Sequence, residues 1–114
     1  MDVLLVEETD AYIHVALRGN LDESWSEAAN QKLTSQTVAR RKPTILDLSE
    51  VGRITSLGIG VLITIERSMR SLDLGLAIIV GKTPVRQVLE MTSIDILIPV
   101  RSTRDEALRA LRLA

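Results

Sequence analysis

The chain has 114 residues, a formal net charge of −1, 46% hydrophobic and 25% charged residues, and no cysteine. One domain of ordinary globular composition follows, residues 1–114, with no disulfide, no thiol nucleophile, no cysteine metal site and no electrostatic footprint for nucleic acid. There is no basic-plus-apolar leader and no apolar run of the ~18 residues a membrane span requires, so a cytoplasmic protein without membrane insertion is expected.

Aromatic side chains are almost absent (Tyr12 and Trp25, no Phe), so the core must be aliphatic. Val3 to Val6 is a short apolar run closed by the polar turn Glu7-Glu8-Thr9-Asp10. From Ala11 to Arg18, Ile13, Val15 and Leu17 alternate with Tyr12, His14, Ala16 and Arg18, the pattern of a strand with one face on the core. The two runs predict an antiparallel hairpin. His14 is the single histidine, so no multi-histidine metal site or histidine triad can be built within one chain. It reads as a surface or hydrogen-bonded structural residue.

Gly19-Asn20-Leu21-Asp22 ends the strand, and Asp22 and Ser24 compete to cap a helix running to about Val38, with Ser24 and Glu27 spelling a capping box. Its apolar side is thin: Trp25, Ala28, Ala29 and Leu33. After the basic connector Arg40-Arg41-Lys42-Pro43 comes an apolar strand, Ile45 to Leu48, broken only by Asp47. A loop is predicted over Ser49 to Arg53. Next come the hydroxyls Thr55 and Ser56, the glycines Gly58 and Gly60, and apolar residues at helical spacing (Ile59, Leu62, Ile65, Met69, Leu72). A helix N-terminus carrying hydroxyls and glycines can hold a phosphate or carboxylate, or cap itself.

Gly75 is expected to stop that helix. Leu76 to Val80 is an unbroken apolar strand, the signature of coverage on both faces. Thr83 and Pro84 start another helix with Val85, Val88 and Leu89 inward, and Met91 and Thr92 as further inner candidates. Ile94 to Val100 is read as a last strand, at an edge because of Asp95 and Pro99. Thr103 to Glu106 forms a second capping box, for a helix burying Ala107, Leu108 and Leu111. The order ββαβαβαβα predicts an α/β domain: a mostly parallel sheet of four to five strands, entered through the antiparallel hairpin, with helices packed against it.

The segments Gly19 to Ser24, Thr44 to Leu62, Gly75 to Asp95 and the final strand and helix resemble a STAS domain, and more narrowly the bacterial anti-sigma factor antagonists. The resemblance covers nearly the whole chain. Its most diagnostic piece is the hydrophobic–Asp–Leu–Ser strand followed by the family's Asp-Ser-Ser/Thr-Gly-Leu-Gly loop. It implies a partner-switching regulator that binds an anti-sigma factor acting also as a serine kinase, of the histidine-kinase-like ATPase fold. That kinase phosphorylates the second hydroxyl residue of the loop and switches the antagonist off; a serine phosphatase restores it. Laid on this chain, Thr55 stands at the family's Asp, Ser56 matches the first Ser, and Leu57 occupies the acceptor position. Gly58, Ile59 and Gly60 match Gly-Leu-Gly.

Leu57 cannot accept a phosphoryl group, so Ser56 and Thr55 are the phosphorylation candidates; otherwise the domain is unregulated at this site. The partner-binding set implied is Thr55 to Gly60 and the following helix, with Asp22 and Asp47, which match family positions near the loop. Hydrogen bonding and capping explain Asp22, Asp47 and Ser56 as well. No nucleophile elbow, HExxH motif or Walker loop is present, which implies a binding protein without catalysis or cofactor; a monomer or weak dimer is expected. The alternatives are a phosphorylation-insensitive scaffold and a ligand-sensing module in a signalling or lipid/anion transport complex.

Overall fold

The computed structural model describes residues 2–113. Its five strands, β1 (Asp2–Glu8), β2 (Ile13–Leu21), β3 (Thr44–Ile54), β4 (Leu76–Ile79) and β5 (Val100–Arg101), lie side by side in chain order. β1 pairs antiparallel with β2, and β2 through β5 are parallel. The helices are α1 (Glu27–Gln36), α2 (Ser56–Ser71), α3 (Pro84–Met91), α4 (Ile94–Leu97) and α5 (Arg104–Ala110).

The strand order dictates where the helices go. Every crossover steps the same way along the sheet, and right-handed crossovers that never reverse put their helices on one face. Leu33 of α1, Leu62 and Met69 of α2 and Leu89 of α3 accordingly share a core with Leu46, Leu48, Ile78 and Val80. Alternation sends Ile45, Ala77 and Ile79 to the other face, where α5, free of any crossover, covers them with Ala107 and Leu108.

Most predicted elements are present, with four corrections. Helix α1 begins later than Asp22 or Ser24. Its cap is Ser26, whose hydroxyl accepts from the Ala29 N–H at 3.0 Å, and Ala28 is exposed. The expected loop over Ser49 to Arg53 is strand. Irregularities in the β2–β3 pairing break its alternation, so the inward residues after Leu48 are Val51 and Ile54, three apart instead of two. Helix α2 ends at Ser71, and the left-handed residue that follows is Asp73 (φ 58°) rather than Gly75. The last strand shrinks to Val100–Arg101, because Ile94–Leu97 form the helical turn α4. Met91 and Thr92, the further candidates for the inner side of α3, are both exposed, Met91 by 83%. Thr83 and Thr103 cap α3 and α5 as expected. Among the described residues no helix is long and apolar enough to cross a membrane.

Candidate functional site

The site is built where β3 hands over to α2. Thr55 keeps extended backbone angles (φ −117°, ψ −177°) while its carbonyl already accepts from the Ile59 N–H at 2.9 Å, which makes it the N-cap of a 16-residue helix. Its own N–H donates to the Leu21 carbonyl at 3.0 Å, tying the loop to the end of β2. Its hydroxyl does nothing comparable. Among the described residues Thr55 Oγ1 is buried without a hydrogen-bond partner, and it makes no cap. Ser56 is therefore the first helical residue and not the cap expected of it; its side chain is exposed. Leu57 follows, 47% exposed at the positive end of the helix dipole.

The two glycines differ in what they do. A Cβ on Gly58 would stand 2.4 Å from the Leu21 carbonyl oxygen and 2.7 Å from Leu21 Cβ, so Gly58 lets α2 touch the end of β2. A Cβ on Gly60 would meet nothing within 4 Å. No contact among the described residues calls for glycine there, although glycine costs a helix interior about 0.5–1 kcal/mol relative to alanine.

Asp22 lies beside this loop. Its Oδ1 accepts from the Ser24 hydroxyl (2.6 Å) and the Ser24 N–H (2.9 Å), and Arg53 Nη1 stands 3.7 Å from Oδ2. The Ser24 bonds first, with Arg53 assisting, hold its carboxyl below the usual range. Sequence reasoning gives Arg53 no role. Its signal was adjacency to the loop, hidden while 49–53 read as loop themselves.

Asp47 is not part of the cluster. It sits in mid-strand opposite Ala16, whereas the loop adjoins Leu21, roughly 16 Å further along β2. Its partners are His14 Nε2 at 2.9 Å and the Ser49 N–H at 2.9 Å. His14 is thus a buried, hydrogen-bonded structural residue. Burial alone would raise the Asp47 carboxyl, but the bonds from His14 and Ser49 outweigh it and the net shift is downward from 3.8. A carboxyl lowered in the fold stabilises above its unfolded value, and that contribution is lost as pH falls through its folded one. Asp47→Asn is therefore expected to cost on the order of 1–2 kcal/mol at pH 7, a loss that shrinks as pH falls below 3.8 and through the lowered folded value. Urea unfolding in neutral buffer and below pH 3.8 checks this; an equal loss in both would refute it. Among the described residues no group of three acidic or histidine side chains could hold a metal ion.

With this geometry in place, comparison with known proteins is decisive at the family level. A family model described as the STAS domain matches residues 4–107. The chain belongs to the STAS domain family. A Bordetella bronchiseptica protein bearing the name anti-sigma factor antagonist BtrV is 24% identical over 111 residues, 97% of this STAS domain and 96% of that protein. An anti-sigma factor antagonist from Mycobacterium paratuberculosis superposes with a TM-score of 0.80 at 26% identity, covering 97% of this chain and 93% of that one. The phosphorylated form of SpoIIAA, a Bacillus cell fate determinant, gives 0.68 at 17% identity over 97% of this chain and 100% of that one, a likeness of fold alone.

Proposed function

We propose that this STAS domain is an anti-sigma factor antagonist that binds its anti-sigma factor through the Thr55–Gly60 loop and the outer face of α2. The observation that carries the reading is Leu57 beside Gly60: an apolar side chain held in solvent next to a glycine with open space over it. A partner surface packed on this turn would bury Leu57 and approach the backbone at Gly60, and both features then have a cause. The names of the sequence relatives support the same reading.

Gly60→Ala separates folding from binding. It is expected to raise stability by about 0.5–1 kcal/mol, since the methyl meets open space and improves helix propensity. Partner affinity is expected to fall about tenfold as the methyl intrudes on the contact. Thermal unfolding and calorimetric titration with the anti-sigma factor read the two effects; unchanged affinity would move the interface off this turn.

The switch, where there is one, resides on Ser56. Its side chain is exposed at the first turn of α2, whereas the Thr55 hydroxyl is buried. A phosphate there adds roughly −1.5 to −2 charge beside Leu57 and repels a partner that packs apolar groups or carboxylates on the turn, without refolding the domain. Leu57 at the family's acceptor position favours a second reading, a constitutive binder whose apolar contact is never withdrawn. Intact-mass measurement after incubation with ATP and the partner kinase separates them. One phosphate gained by the parent protein and by Thr55→Ala, but not by Ser56→Ala, supports the switch. No phosphate with the partner still bound supports the constitutive reading. No binding of any anti-sigma factor by calorimetry overturns the antagonist assignment.

A further inference from the structure

The face of α2 that looks into solvent carries charge of one sign. From Leu57 the exposed residues Gly60, Thr64, Arg67 and Ser71 follow at steps of three and four, a single stripe along the helix. Three residues of the helix are charged: Glu66, Arg67 and Arg70. Glu66 is turned inward, its side chain 10% exposed and 3.5 Å from Arg70 Nε. Arg67 stays on the stripe, exposed and with no ion-pair partner among the described residues. It stands about 15 Å from Leu57 along the axis, at 1.5 Å of rise per residue.

A second cation stands before the turn. Arg53, near the end of β3, has a side chain 62% exposed. Its ion-pair partner, Asp22 at 3.7 Å, is buried and already accepts two bonds from Ser24. Between the two arginines lies the positive end of α2, with no acidic residue in its first turn. The exposed carboxylates close by in sequence do not neutralise this stripe: Glu50 pairs with Arg18 at 3.1 Å, and Glu23 and Glu27 pair with neither Arg53 nor Arg67. The chain as a whole has a net charge of −1, so the positive stripe is local.

We infer that the surface the anti-sigma factor brings to α2 is acidic, with an apolar site for Leu57 and carboxylates opposite Arg67 and Arg53. The inference rests on the antagonist reading and adds to it the chemistry of the partner. Exposed cations at the rim of a contact act on encounter and register more than on tightness, so these arginines steer an acidic surface onto the stripe and fix where along it Leu57 is taken. A phosphate on Ser56 would face the same carboxylates, which supplies the repelling group that release requires.

The test measures association rates by stopped flow, with each ATPase-fold anti-sigma factor encoded by the source genome, purified singly, as the probe. The parent rate is expected to fall between about 0.01 M and 0.15 M salt, as the Debye length shortens from roughly 30 Å to 8 Å. At the lower salt Arg67→Glu is expected to associate about tenfold more slowly and Arg67→Gln about threefold, with the gap closing at the higher salt. Both keep the parent Tm, since the side chain is in solvent. Arg109→Glu, on α5 across the sheet, changes net charge by the same amount as Arg67→Glu and is expected to keep the parent rate. Rates independent of salt, faster association of Arg67→Glu, or equal slowing by Arg109→Glu would overturn the acidic partner and leave the antagonist reading standing. No binding of the parent protein to any of these factors would overturn both. A concentration-dependent dimer of the parent in sedimentation, dissolved by Arg67→Glu, would assign the stripe to a second copy and overturn the inference as well.

Discussion

Gly58→Ala is expected to destabilise the domain by about 2–3 kcal/mol and to lower its Tm by roughly 10 °C. The added methyl would stand 2.4 Å from a backbone oxygen, that of Leu21, and 2.8 Å from Ile54 Cγ1. A backbone oxygen in a strand cannot rotate away as a side chain could. Either α2 lifts from the end of β2 or the Thr55–Leu21 hydrogen bond is lost, and both outcomes disturb the turn that presents Leu57. Binding should therefore fall together with stability. A variant as stable as the parent would show that α2 has freedom to shift, and the close approach at Gly58 would lose its structural role.

Leu57→Asp is expected to weaken anti-sigma factor binding by at least about 100-fold, near 2.7 kcal/mol, with little change in Tm. The side chain makes its largest difference outside the domain, being half in solvent. A carboxylate in the first turn of a helix is tolerated or slightly favoured by the unpaired N–H groups there, so the fold has no reason to suffer. In the interface the same carboxylate would replace an apolar contact by a charge to be desolvated. The substitution also imitates a phosphate at this turn, so loss of binding would show that charge alone can operate release. Unchanged calorimetric affinity would remove Leu57 from the interface and with it the observation on which the proposed function rests.

Much of the architecture was legible because it depends on local chemistry. Alternation in β2, the unbroken β4, and the Thr83-Pro84 and Thr103–Glu106 caps each carry their conformation within a few residues. The α2 pattern of Leu62, Ile65 and Met69 does so too. The failures came where a pattern depends on distant pairing. Bulges re-phased β3 beyond Leu48, so strand read as loop. Exposed Ile96 and Leu97 made a helical turn read as part of an edge strand, because hydrophobicity signals burial and the surface here is apolar.

The site divides in the same way. Sequence by itself determined the composition of the turn: Thr55, Ser56, Leu57 and two glycines at the start of an amphipathic helix, and hence that the family's acceptor hydroxyl is missing. Only tertiary structure decided which hydroxyl is open, since the burial of Thr55 depends on packing between the loop and its surroundings. It also decided that Gly58 serves the fold while Gly60 faces space, and that Asp22 joins the turn while Asp47 pairs with His14 elsewhere. Residue type and spacing record what a side chain is able to do. Which strand end lies beside which loop is set by sheet register, and register is a long-range property of the whole fold.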